Sequence, residues 1–176
     1  SKDFKLDASS DTLLIEGDPD LEYLKEINNR YGSKEFLVLT LTPKESLTSK
    51  VTVNNLLSLK YKIQSLDWVH NVITILDIPL LENSDAPITE RIQNFKTLKD
   101  ENVDLEKGFK EIIESPVFRN FVVSEDGSTT GIIVYIKPAT DFSEFKTQKA
   151  LEDYKEDLKK QNHQNILEIR DIIKSY

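Results

Sequence analysis

The chain has 176 residues, a formal net charge of −8 and no cysteine. This length fits one domain that can bury a core. The acidic balance disfavours a nucleic-acid or anionic-lipid surface, because both need clustered Lys and Arg, and the lack of cysteine excludes disulfides, thiolate metal sites and cysteine nucleophiles.

The first half of the sequence predicts a helix, a strand, a second helix and a second strand. Asp18 and Pro19 suit the start of a helix that ends at Tyr31-Gly32. Residues 35–42 are apolar on both faces, as a central strand is, and residues 69–76 predict the next strand. Between them an apolar stripe predicts a helix over residues 51–66, formed by Val53, Leu56, Leu57, Tyr61, Ile63 and Leu66. The strand, helix and strand indicate a right-handed βαβ unit with parallel strands.

The second half begins with an insert and ends with a long helix. Residues 79–117 interrupt the alternation and predict two short helices, at 89–98 and 105–113. Strand-like runs follow at 118–124 and 129–137, and Asp126-Gly127 between them is a strong hairpin signal, because glycine takes positive φ at little cost. Residues 143–175 contain no Gly or Pro and predict a helix of about 50 Å if it is unbroken.

The predicted order is typical of an α+β fold of the ferredoxin-like, split βαβ kind. Such a fold needs one more strand after the long helix, and the sequence ends at Tyr176, where that strand would begin. We therefore expect residues 1–176 to form a single domain whose final strand is missing.

Candidate catalytic and metal-binding residues are few. The histidines are His70, in a predicted strand, and His163, in a polar stretch of the last helix, and neither lies in an HExxH pattern. Pairs of nearby acidic residues occur in predicted turns, caps or exposed helix faces, where solvated surface charge is the commoner explanation: Asp18/Asp20, Asp100/Glu101, Glu125/Asp126, Glu152/Asp153 and Glu156/Asp157. The five glycines form no phosphate-binding motif. The residues thus predict no catalytic, cofactor or metal site, and no enzyme.

A set of aromatic residues leaves two interpretations open. They either line a ligand groove or, as is commoner, pack in the core: Trp68, Phe36, Tyr61, Phe118, Phe121 and Tyr135.

Four segments carry a family resemblance. They are LIEGDPDL (14–21) with YGSKEFLV (31–38), VHNVITILDIPLL (69–81), SPVFRN (115–120) with VSEDGSTT (123–130), and HQNILEIRDII (163–173). In this order they resemble the large loop between the first and second membrane helices of RND (resistance–nodulation–division) exporters, closest to the hydrophobe and hopanoid-type branch. The third segment is the most specific, although Val117, Phe118 and Glu125 depart from the commoner family residues.

The resemblance implies a part in transport. In such exporters, proton flow through the membrane helices drives rearrangement of extracytoplasmic domains that move a hydrophobic or amphiphilic substrate outward. This chain would be a periplasmic or otherwise extracytoplasmic porter-type subdomain of a parent in the cell membrane. Its partners would be a second extracytoplasmic subdomain, the parent's membrane helices and a lipidic substrate, with no nucleic acid and with a homo-oligomer left open.

Features outside the motifs agree with an excised domain. The first residue is Ser1, the sequence has no methionine, and it has no apolar run of ~18 residues, so membrane spans of a parent would lie elsewhere. The alternatives are a free-standing ferredoxin-like binding or regulatory module, which the missing strand disfavours, and an enzyme, which lacks a visible base and nucleophile.

Overall fold

The computed structural model describes residues 35–82 and 86–176, together with the backbone of residues 6–7. It is a mixed helix and strand structure, as predicted. In chain order the elements are β1 (Leu6–Asp7), β2 (Phe36–Leu41), α1 (Lys50–Gln64), β3 (Val69–Ile73), α2 (Ile88–Gln93), α3 (Leu105–Glu114), β4 (Thr130–Ile136) and α4 (Gln148–Lys174), with 3₁₀ turns at Ile75–Asp77 and Phe142–Glu144. The helix predicted to start at Asp18 lies outside the described residues.

The centre of the fold is a small antiparallel sheet of β2, β4 and β3. β4 pairs antiparallel with both neighbours, so β2 and β3 run in the same direction but do not touch. β2, α1 and β3 thus follow one another in the chain, and the later strand β4 lies between the two strands in the sheet. This central position agrees with the side chains of β4: its run is rich in β-branched residues, and residues 130–135 are all buried.

The outer edge of β2 carries a short pairing that the sequence analysis did not foresee. Leu6 lies opposite Leu39 and Asp7 opposite Val38, in antiparallel register. The two residues of β1, which precede β2 in the chain, thus add a fourth strand at the outer edge of β2.

Helix α1 forms where it is predicted, and every residue of the predicted stripe except Tyr61 is buried in the core or packed against it. Ser49 caps its first turn by accepting a hydrogen bond from the Thr52 amide at 3.1 Å. Leu56, Leu59 and Ile63 are buried in the core, whereas Tyr61, which the stripe included, is 60% exposed. Tyr61 lies on the opposite side of α1 from the core, and this orientation defines the surface described below.

Helix α4 is shorter than predicted, and its fully buried side chains among the described residues lie near its C-terminal end. Thr147 accepts a hydrogen bond from the Ala150 amide at 3.1 Å, and this cap starts the helix at Gln148 instead of residue 143. Its 27 residues make about 40 Å of helix. The buried residues of α4 are Asn165, Ile169 and Ile173, and the helix packs against α1 there.

Two other predicted elements end early because a local hydrogen bond redirects the chain. The strand predicted over residues 69–76 stops at Ile73, where Thr74 and Asp77 form a reciprocal cap of the following 3₁₀ turn. The helix predicted over residues 89–98 stops at Gln93, because the chain turns back to pair Lys96 with Leu80. Leu98 consequently lies in a loop and is buried there.

The predicted hairpin is confirmed at its tip and wrong in its first arm. Residues 118–122 form turns instead of a strand, held by hydrogen bonds such as that from the Val122 amide to the Phe118 carbonyl and by Asn120 at φ 67°. Pairing with β4 begins only at Val122, whose carbonyl accepts from the Gly131 amide at 2.8 Å. Gly127 has φ 71°, as the Asp-Gly signal predicts.

Substitution of Gly127 by alanine is expected to destabilise the protein by about 1–2 kcal/mol, because a β-carbon is strained at positive φ. The new atom would also lie 3.0 Å from Cδ1 of Ile113. Urea unfolding measures the change. Asn120→Gly, the matched control at φ 67°, should leave stability unchanged or raise it; equal losses in both variants would contradict the argument.

Candidate ligand groove

The sequence-identified histidines and acid pairs do not meet in a cleft. His70 is exposed on β3 and His163 is exposed on α4. Within residues 35–82 and 86–176, no group of three or more His, Asp or Glu side chains is arranged to hold a metal ion. The pair Asp18/Asp20 lies outside the described residues.

Carboxylates from the other acid pairs have local structural roles. Asp100 accepts hydrogen bonds from the amide and hydroxyl of Thr97, and Glu156 forms the expected i,i+4 ion pair with Lys160 at 3.3 Å. Asp126 holds the hairpin tip: the Ser124 hydroxyl and then the amide and hydroxyl of Ser128 lower its pKa to about 2. A carboxylate that stays ionised at a turn stabilises that turn and does not serve as a general base near neutral pH.

A buried ionic cluster joins α1, the end of β3 and the insert. Oδ1 of Asp77 lies 2.5 Å from Nζ of Lys60 and 2.8 Å from Nζ of Lys99. The other carboxylate oxygen, Oδ2, accepts hydrogen bonds from the amide and hydroxyl of Thr74. Burial raises the pKa of Asp77, but the lysine hydrogen bonds outweigh it and hold that pKa below its usual value.

Sequence reasoning missed this cluster, although a signal was available. Lys60 lies between Leu56 and Ile63 at spacings of four and three, on the buried face of α1. A lysine at a core-facing helix position requires a buried anion, and Asp77, which follows a buried strand, was a candidate to supply it. The cluster fixes the insert to the sheet domain and leaves the carboxylate fully hydrogen-bonded.

The aromatic residues divide between core and surface. Phe118 and Tyr135 are buried, and burial raises the pKa of Tyr135. Phe36 lies beside Tyr135 with ring centroids 6.0 Å apart. Phe36, Trp68 and Phe121 are partly buried against the same core. Core packing is therefore the correct interpretation for this set, with Tyr61 as the exception.

Tyr61 lies in a shallow, widely open surface groove of about 520 Å³ along one face of α1. The described residues that line the groove recur at spacings of three and four, and are Asn54, Leu57, Ser58, Tyr61, Lys62 and Ser65. Leu57 is half-buried against the core, and the other five are exposed. The groove thus combines an apolar floor with uncharged polar groups and one ammonium group.

Tyr176, the last residue of the sequence, contacts two side chains that line this groove. The Tyr176 hydroxyl lies 2.6 Å from the hydroxyl of Ser58, and Nζ of Lys62 lies 4.7 Å from the centroid of the Tyr176 ring. These contacts fix the ends of two lining side chains, so part of the groove surface is organised before any ligand arrives.

Comparison of the chain with protein-family models, curated proteins and solved structures finds no match in any of the three. Among the described residues, no helix combines the length and the apolar character needed to cross a membrane.

Proposed function

We propose that this chain is a porter-type extracytoplasmic subdomain of a proton-driven RND-type exporter, in which it lines the path of a hydrophobic or lipidic substrate. The parent would lie in the cell membrane and this domain on its periplasmic or outer side. Its partners would be a second extracytoplasmic subdomain, the parent's membrane helices and the substrate, with a homo-oligomer left open. It would have no catalytic role.

The topology is the observation that carries the fold part of this proposal. A ferredoxin-like split βαβ domain has two parallel strands joined by a helix, with a later antiparallel strand inserted between them. β2, α1, β3 and β4 have this order and these directions, and α4 follows β4 and packs against α1. We assign the domain to the ferredoxin-like class on this basis.

The family-like segments supply the second support, because they coincide with points that stabilise the fold. The segment over residues 69–81 contains Asp77, the centre of the buried ionic cluster. The segment over residues 123–130 forms the tip held by Asp126 and Gly127. The segment over residues 163–173 contains Ile169 and Ile173, which attach α4 to the core. Motifs that hold a scaffold suit a moving, non-catalytic part of a transporter.

The groove on α1 supplies the third support. A transport path for amphiphiles needs apolar surface beside polar groups, without the tight enclosure that would trap the cargo. Leu57 and Tyr61 offer the apolar surface, and Asn54, Ser58 and Ser65 offer the polar groups.

The sequence of the complete gene tests the proposal. We expect about twenty consecutive apolar residues shortly before Ser1, and a further membrane segment after one more strand beyond Tyr176. Soluble sequence on both sides would contradict it. A fusion reporter on each flank, read out for membrane insertion in the native host, gives the same answer without relying on hydropathy.

A second candidate, a free-standing ferredoxin-like binding or regulatory module, is favoured by one observation. β1 pairs with Val38 and Leu39, so the edge of the sheet already has a partner from this chain. Thermal unfolding with lipids and detergents, compared with polar metabolites, separates the candidates. Stabilisation by polar metabolites alone would favour the module, whereas stabilisation by amphiphiles favours the exporter subdomain.

A further inference from the structure

We propose that the groove on α1 recognises the uncharged, hydroxyl-rich headgroup of an amphiphile, with an alkyl glycoside as its simplest form. The inference rests on the proposed transport function, because it names the substrate class of the same groove. Three properties of the groove carry it: its hydrogen-bonding groups, its charge and its exposed aromatic ring.

The hydrogen-bonding groups match hydroxyls better than ions. Asn54 and Tyr61 each carry an uncharged group that both donates and accepts hydrogen bonds, and the Ser58 hydroxyl keeps part of this capacity beside its bond to Tyr176. Ser65 donates to the carbonyl oxygen of Lys62 at 2.7 Å, which leaves its lone pairs as acceptors. A sugar hydroxyl also donates and accepts, whereas a carboxylate or phosphate dianion only accepts and a quaternary ammonium does neither.

The charge of the groove gives little advantage to an anion. Lys62 is the one side chain charged at neutral pH among the described residues of its lining. Its ammonium faces the Tyr176 ring, and Lys62 lies in the last turn of α1, where free carbonyls carry partial negative charge. Both neighbours attract the ammonium and weaken the positive potential that a bound anion would feel.

The exposed Tyr61 ring and the nearby Leu57 suit a sugar ring followed by the start of an alkyl chain. The Tyr61 ring is 60% exposed, and an exposed aromatic face packs well on the C–H face of a sugar. From Asn54 to Ser65 the groove follows about 16 Å of helix, and Leu57 lies half-buried within that length.

Three probes that share one octyl chain test the headgroup: octyl glucoside, octyl phosphate and octyltrimethylammonium, each below its micelle concentration. Titration into the isotope-labelled 176-residue protein, followed by amide chemical shifts, should move the signals of residues 54–65. We expect the glucoside to bind at least about tenfold more tightly than either ionic probe. Equal or tighter binding of an ionic probe, or no shift with any probe, would overturn the inference.

Substitutions of Tyr61 test the ring and the hydroxyl separately. Tyr61→Ala should weaken glucoside binding about tenfold, and Tyr61→Phe, which keeps the ring, by less than about threefold. Both variants should fold, since Tyr61 is 60% exposed, and thermal unfolding checks this. Phe142→Ala removes an aromatic ring that is 46% exposed outside the groove, and it should leave binding unchanged. Unaltered affinity in Tyr61→Ala would refute the assigned site.

Failure of this inference is distinguishable from failure of the proposed function. A gene with membrane segments on both flanks and a domain that ignores the glucoside would retain the exporter assignment and remove the substrate class. A gene with soluble flanks and a domain that binds the glucoside would remove the exporter assignment.

Discussion

Replacement of Asp77 with asparagine is expected to lower the free energy of unfolding by about 3 kcal/mol, because it leaves a buried ammonium without its counter-ion. The side chains of Asp77 and Lys60 are only 9% and 11% exposed, so water cannot take over the lost contact. Urea unfolding monitored by the fluorescence of Trp68 measures the difference. Lys99→Gln is the matched control: its side chain is 35% exposed, so its loss should stay below about 1 kcal/mol.

The pH dependence of stability in the wild type and in Asp77→Asn provides a second test, with a defined sign. The pKa of Asp77 is lower in the folded protein than its ordinary value of 3.8. A lowered folded pKa contributes stability above the ordinary value, and this stability is lost as the pH falls through the folded value. The difference in the free energy of unfolding between wild type and Asp77→Asn should therefore be largest at neutral pH and should decrease below about pH 4. A gap that stays constant down to pH 2 would show that the charge of Asp77 is not what stabilises the fold.

Phe118→Ala is expected to destabilise the protein by about 3–5 kcal/mol, since it removes a large side chain from a site that cannot collapse fully. Phe118 is 1% exposed, and it lies in the turns that precede the hairpin tip. The unfolding midpoint should fall while the denaturant slope stays constant, since the surface exposed on unfolding barely changes.

Phe142→Ala is the control for Phe118→Ala, because it removes an exposed aromatic ring instead of a buried one. The Phe142 ring is 46% exposed and contacts Tyr154, with ring centroids 6.2 Å apart, and the ammonium of Lys155 at 5.0 Å. Such exposed contacts contribute about 1 kcal/mol or less. Similar losses in the two alanine variants would mean that burial does not determine the importance of Phe118.

Elements with local signals were predictable from the sequence. The helix over residues 51–66 agrees with α1 because Ser49 caps it and apolar residues recur at helical spacing. The turn at Gly127 agrees because its φ of 71° is costly for other residues. In both cases the residues that determine the structure are close together in the chain.

Elements that depend on distant contacts were not predictable in the same way. The run over residues 118–124 has strand-like composition, yet turn hydrogen bonds and Asn120 at positive φ divert it. The position of β4 between β2 and β3, and the pairing of Leu6 with Leu39, depend on contacts across the sheet. Composition gives no direct measure of such pairings.

The residues of the candidate groove were also only partly predictable from the sequence. Tyr61 appeared among the aromatic candidates, but its exposure depends on the rotation of α1, which the buried Leu59 and Lys60 set. Ser58 and Ser65 carried no signal, because serine on a helix is common and only the contact with Tyr176 gives Ser58 a distinct position.

The uneven attachment of α4 has a mechanical consequence. Its last two turns are anchored by Ile169 and Ile173, whereas residues 148–164 bury no side chain. Hydrogen bonds of residues 148–164, whose contacts include those of Tyr154 with Phe142 and Phe145, should open at lower free energy than those near Ile169. A small rotation at the anchor would displace Gln148, about 30 Å away, together with the aromatic contacts that Tyr154 makes with Phe142 and Phe145. The helix can thus act as a lever whose pivot lies beside the groove on α1.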